Sequence, residues 1–226
     1  MIRRKIEIAP GALAPAVRQI WSAAIEKLDE AEFGLTQMAN AQDSIEFEQG
    51  WTRSIDCLEE FWTRFFDEGK KSFSSFQPWA GVFDAARKKD PLLIYLYQAR
   101  HQSQHGRISL EYEEGSLQIA PEFNGHVRGL EIFPDGTFEL DATSGHPLVR
   151  EASVVFSGGN AKLPSIYNGK YKQIFNPPLE HRGQLINDVS PIQVIKLGLN
   201  YYVAILNQAI EKFGHNVLKD EDAVAK

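Results

Sequence analysis

Leu92-Leu93-Ile94-Tyr95-Leu96-Tyr97-Gln98-Ala99-Arg100-His101-Gln102-Ser103-Gln104-His105-Gly106 is the stretch on which the reading of this chain turns. Its apolar run reads as a buried helix that delivers an arginine and two histidines within six residues of one another. The helix has a clear start. Asp90 can accept a hydrogen bond from a first-turn N–H, and Pro91 stands at the first helical position, where a missing N–H costs nothing. The helix is therefore expected from about Pro91 to Gln104 or His105, with Gly106 as its stop. From Arg107 the period changes to two, with Ile108, Leu110 and Tyr112 alternating with polar residues. The chain thus changes from helix to strand at the end of this one segment.

Upstream, the pattern is helical. From Pro15 to Ala41 it predicts a helix interrupted at Gly34, because glycine is disfavoured in a helix interior. Over 43–68, Phe47, Trp51, Ile55, Leu58, Trp62 and Phe65 recur at steps of three and four and share one face. Asp43 suits the N-cap with Glu46 three residues on, and Gly69 suits the C-cap. Residues 26–68 carry twelve acidic side chains against three basic ones, read as a solvated face that would repel a phosphate backbone. A turn at Ser72 to Pro78 and a short helix at Trp79 to Lys89 lead into the central helix.

Downstream, strands are expected. Gly115 marks a turn, after which Leu117 and Ile119 continue the alternation. Leu130 and Ile132 lead through the Asp135-Gly136 turn to Phe138 and Leu140. Ser153 to Phe156 and Tyr171 to Phe175 are further strand candidates, and Ser157-Gly158-Gly159-Asn160 reads as a plain turn. A last helix opens on Ser190 and Pro191 with Gln193 as capping partner. It steps through Ile192, Ile195, Leu199, Tyr202, Leu206, Ala209 and Phe213 to Gly214 as its stop, and the acidic residues after it read as a frayed tail. The fold class is α+β: residues 1–106 form the N-terminal helical part of a bundle, 107–189 a β-rich insertion, and 190–226 the C-terminal helix and tail.

Composition narrows the partners. Over 226 residues the net charge is −6, which disfavours nucleic-acid binding through a general basic surface and requires a local patch. Between Pro147 and Gly183, Arg150, Lys162, Lys170, Lys172 and Arg182 outweigh Glu151 and Glu180. Tyr167, Tyr171 and Phe175 share that stretch, where alternating aromatics read first as core and second as surfaces for base stacking. The lone Cys57 fits a reducing compartment. Arg3-Arg4-Lys5 resembles the basic start of a signal peptide, but Glu7, Pro10 and Pro15 interrupt any apolar stretch after it, and no apolar stretch is long enough to span a bilayer. A cytoplasmic protein without membrane association is expected.

Arginine stays protonated and offers forked donors to phosphate oxygens, and histidine moves protons near neutral pH. Arg100 and His105 together could therefore hold a phosphodiester and shuttle its protons. On a continuous helix they would point about 140° apart, so convergence requires the helix to end or distort near Ser103, or a second copy to complete the site. Two other readings stand beside this one. Arg100 and His105 could simply complement the negative end of the helix macrodipole, or His101 and His105, four apart, could bind a metal, though no third ligand is near. His126, His146, His181 and His215 are isolated in sequence and receive no role.

Arg100-His101-Gln102-Ser103-Gln104-His105 resembles the R-x4-6-H signature of the HEPN superfamily, in which a polar residue, here His101, follows the arginine. Long amphipathic helices before and after the motif add to the likeness, which covers roughly 20–106 and 190–214. The resemblance implies an HEPN-like helical bundle that dimerises and brings two motifs to one cleft. Active members are metal-independent endoribonucleases of toxin–antitoxin, abortive-infection and other defence systems. It thus implies an RNA substrate, a homodimer, an antitoxin or other protein partner, and no cofactor. Arg100 would stabilise the phosphate charge, His105 would act as acid or base or hold the ribose 2′-oxygen, and His101 would support them. The alternative is a non-catalytic HEPN-like binding or scaffold protein that uses its β insertion as an interaction surface.

Overall fold

The Asp43 carboxylate accepts from Glu46 N–H at 2.8 Å, and Glu46 Oε2 accepts from Gln42 N–H at 3.0 Å, so the start of the second helix is fixed by its own side chains. The computed structural model describes residues 19–104, 110–112, 116–120, 127–132, 138–142, 153–157 and 161–224, with side chains over 19–104, 110–112 and 161–214. Among these residues the chain is mostly helical with small antiparallel strand pairs. The helices are α1 (Ser22–Asn40), α2 (Ser44–Ser72), α3 (Phe76–Arg87), α4 (Pro91–Ser103) and α5 (Pro191–Val224). The strands are β1 (Glu111–Tyr112), β2 (Ser116–Ala120), β3 (Val127–Ile132), β4 (Phe138–Ala142), β5 (Ser153–Ser157), β6 (Ala161–Lys162), β7 (Ile166–Asn168), β8 (Gln173–Phe175), β9 (Glu180–His181) and β10 (Gln184–Leu185). They pair as β1 with β6, β2 with β5, β3 with β4, β7 with β8 and β9 with β10.

The chain divides into two compact units, residues 1–111 with 162–226, and residues 112–161. The segment expected as a single insertion, 107–189, is therefore shared between them. In the smaller unit the Leu130↔Leu140 and Ile132↔Phe138 pairs of β3 and β4 match the predicted hairpin. The strand after Gly115 does not pair with the one before it: β2 lies antiparallel to β5, Ser116 against Ser157 through Ala120 against Ser153. Local turn chemistry cannot reveal so distant a partner.

In the larger unit α1 and α2 pack along their lengths, and α5 returns to lie on α1, α2 and α4. Gly34 does not break α1. It is buried, and a Cβ there would stand 2.4 Å from Ser54 Oγ and 2.7 Å from Gly50 O, while one on Gly50 would stand 2.7 Å from Gly34 O. These two glycines let the helices touch backbone to backbone. Ser54 completes the contact by donating to Ala31 O at 3.1 Å and Gly50 O at 2.9 Å. Beside it the Cys57 thiol donates to Glu30 Oε2 at 3.2 Å; burial, then the Glu30 carboxylate, push its pKa up to about 12.

Gly69 is likewise not a stop. A Cβ on it would meet the Phe76 ring at 2.4 Å, and α2 continues to Ser72 with an extended Phe73 as its cap. That close approach lets Phe76 and Trp21 gather an aromatic core at this end of the bundle. Trp21 lies 5.5 Å from Phe65, Phe65 5.2 Å from Phe76, and Phe73 stacks at 4.8 Å on Phe213 of α5. The α5 helix also runs past Gly214, to Val224.

The acidic run on α2 is partly structural rather than solvated. Glu59 binds Arg87, whose guanidinium lies 4.7 Å from the Trp62 ring centre and whose Nε donates to Tyr202 Oη at 2.9 Å. Among the described residues no helix is long and apolar enough to cross a membrane.

Candidate functional site

Helix α4 is the strut on which the chemistry of the larger unit hangs. At its N-terminus the Asp90 side chain, 8 % exposed, caps the helix by accepting from Leu93 N–H at 3.1 Å. It also accepts from Arg182 N–H at 2.7 Å and meets His181 Nδ1 at 3.0 Å. Burial alone would raise the Asp90 pKa. The His181 and Arg182 hydrogen bonds, with the Leu93 N–H, outweigh it and hold the carboxyl below its ordinary range. With Asp90 ionised, Nδ1 is the donor of the His181 ring. Tyr201 of α5 presents its ring edge-on to His181 at 5.7 Å, and burial pushes its hydroxyl up to about 12.

Neither Asp90 nor His181 was legible as part of a constellation. Asp90 reads in sequence only as a helix cap, His181 as an isolated histidine, and 91 residues separate them. No local signal joins the two; only the fold does.

The other end of α4 carries the motif. Arg100 lies in the last turn, and its Nε stands 3.4 Å from Asp56 Oδ1 of α2, with the two side chains 26 % and 34 % exposed. The contact is an ion pair without hydrogen-bond geometry, since neither of these two buried atoms makes a hydrogen bond. Burial raises the Asp56 pKa against the opposing pull of Arg100, and burial likewise raises that of Glu59 against the nearby Arg87 and Arg100. The arginine is thus turned through Nε toward an acidic part of α2.

His101 follows on the exposed side of the helix. His105 lies outside the described residues. α4 itself ends at Ser103, with Gln104 as cap, so the regular helix that would set the Arg100 and His105 directions about 140° apart stops before His105. Among the described residues no group of three or more histidine, cysteine, aspartate or glutamate side chains could hold a metal ion.

The opposite face of α4 holds the β7–β8 hairpin. Gln98 Oε1 accepts from buried Asn168 Nδ2 at 2.8 Å, and Gln102 Nε2 donates to Tyr167 O at 2.7 Å. Tyr95 Oη adds a third tie by donating to Pro164 O at 2.8 Å. The strand alternation sends Ile166 and Asn168 inward. Tyr167 and Tyr171 stand 57 % and 62 % exposed, so these two aromatics do not join the core, while Phe175 is half-buried. Comparison of the chain with family models, with curated proteins and with solved structures returns no match.

Proposed function

We propose that the chain is an HEPN-like, metal-independent endoribonuclease whose chemistry sits at the C-terminal end of α4. The observation that supports this reading is the state of Arg100. Its side chain is part-exposed at the end of α4, with Nε held 3.4 Å from Asp56 Oδ1. A phosphate bound there would meet a fixed, permanently charged group in bidentate geometry.

The step itself is a transesterification. The ribose 2′-hydroxyl loses its proton to a base and attacks the adjacent phosphorus. The P–O5′ bond breaks, leaving a 2′,3′-cyclic phosphate and a 5′-hydroxyl that takes up a proton. His105 serves as one of the two proton carriers and His101 supports it, while Arg100 offsets the charge that builds on the phosphate oxygens. A homodimer would supply the second carrier from the other copy of the motif. In a defence or toxin setting an antitoxin would be the protein partner.

The test is cleavage of a total RNA extract in the presence of chelator by wild type, Arg100→Ala, His105→Ala and Asp56→Ala at matched soluble concentrations. Wild-type cleavage unaffected by chelator, lost in the first two variants and reduced about tenfold in Asp56→Ala is expected. Intact RNA with folded wild type refutes the reading.

A second reading, a non-catalytic binding protein, is favoured by Leu185, Leu179 and Ile174, exposed by 80 %, 65 % and 61 % on the β7–β10 segment. It predicts that Arg100→Ala leaves all function intact, whereas Leu185→Asp abolishes capture of the partner.

A further inference from the structure

We propose that the β7–β8 hairpin is a stacking platform for the bases of a single-stranded RNA. The proposal deepens the reading above and rests on it for the nature of the ligand. Two tyrosine rings stand outward where strand alternation and a tight turn leave them, more than half exposed. Exposed, amphipathic rings offer flat faces to any base, and such stacking is tolerant of sequence.

The rings are interleaved with positive charge. Lys170 and Lys172 flank Tyr171, and Lys170 Nζ lies 5.4 Å from its ring centre. Over 161–189 four basic residues face two acidic ones, in a chain whose net charge is −6. A phosphate backbone repelled by the acidic α2 would therefore be tolerated here.

The platform is also held still. Asn168, 7 % exposed, donates to Gln98 of α4 and accepts through Oδ1 from Lys170 N–H at 3.0 Å and Tyr171 N–H at 3.3 Å. The turn then closes through Lys172 at φ 51°, a left-handed conformation. A loop fixed this way loses little entropy on binding.

Its place fits the site. The Gln102 side chain that anchors Tyr167 lies two residues past Arg100. Two residues turn a helix by about 200°, so hairpin and arginine occupy opposite sides of a cylinder about 10 Å across. An RNA strand crossing α4 would present bases to the tyrosines on one side and phosphate to Arg100 on the other.

The experiment measures fluorescence anisotropy of a labelled 2′-O-methyl oligouridylate of about 12 nucleotides. That probe has no 2′-hydroxyl, so its binding is read whether or not the protein cuts RNA. Tyr167→Ala and Tyr171→Ala should each weaken binding about tenfold, with the Phe variants staying near wild type. Replacing Lys170 and Lys172 by Ala together should flatten the salt dependence. All substituted positions are exposed, and circular dichroism confirms that each variant is folded. Alanine variants that bind as wild type overturn the platform. So does wild type that fails to bind the probe, which turns the exposed Ile174, Leu179 and Leu185 toward a protein partner. Probe binding without cleavage of ordinary RNA upholds the platform while refuting the nuclease.

Discussion

Gly34→Ala offers the most direct test of how the helical unit is built. On propensity alone the change should stabilise α1 by about 1 kcal/mol. The new methyl, however, would lie 2.4 Å from Ser54 Oγ and 2.7 Å from Gly50 O, and Gly50 O is backbone that cannot swing aside. Displacing Ser54 also threatens the one hydroxyl proton it shares between Ala31 O and Gly50 O, a hydrogen bond worth about 1 kcal/mol. Overpacking of a tight contact costs roughly 1–3 kcal/mol. The net expectation is a loss of about 2 kcal/mol, which for a chain of this size lowers the melting temperature by about 4–8 °C. Gly81→Ala is the matched control: a Cβ there meets nothing within 4 Å, so about 0.5–1 kcal/mol of stabilisation should remain. Trp21, Trp51, Trp62 and Trp79 are the four tryptophans of the chain and all lie in this unit, so intrinsic fluorescence follows its melting alone. A Gly34→Ala protein as stable as wild type would refute the close-contact argument.

Removing the Asp90 side chain strips α4 of its cap and frees two partners. Asp90→Ala should cost about 2–3 kcal/mol at neutral pH in urea unfolding. Because the folded pKa of Asp90 lies below its ordinary value near 3.8, its contribution is fully present above that pH and is lost as pH falls through the folded value. The stability curves of wild type and variant should therefore converge only in acid; a gap that closes near neutral pH would contradict the assignment. Arg87→Ala leaves Glu59 buried without its cation and should cost about 3 kcal/mol, most of it recovered by adding Glu59→Gln. If the double variant is no more stable than the single one in thermal melts, Arg87 acts through its ring contacts with Trp62 and Tyr202.

What the sequence makes legible follows from the range of the interaction. Caps and apolar stripes are local, and Asp43, Asp90, Pro91 and Ser190 start their helices as read. The failures cluster at glycines. Gly34, Gly69 and Gly214 read as interruptions or stops because propensity is the only local information a glycine carries. In the fold Gly34 and Gly69 make room for Gly50 and Phe76. The α1-facing stripe of α2 escaped the apolar count for a related reason, since it is built of Gly50, Ser54 and Cys57 rather than large side chains. Charge patterning misled in the same way, because the cations that meet Asp56 and Glu59 arrive from distant elements. At the candidate site, the spacing of Arg100 and His105 is all that the sequence offers. The acid behind Arg100 and the tyrosines across the helix from it are products of the tertiary fold.

Cys57 gives experimenters an unplanned convenience. Thiol reagents react with the thiolate, and a sulfhydryl shielded between two helices beside a carboxylate yields almost none of it near neutral pH. A cysteine placed on the hairpin, at Tyr171 for example, would take up a fluorophore while the native one stays silent. Dyes and spin labels can thus be installed without first removing a side chain the bundle uses. Slow modification of Cys57 itself in the unaltered chain would time how often α1 and α2 part.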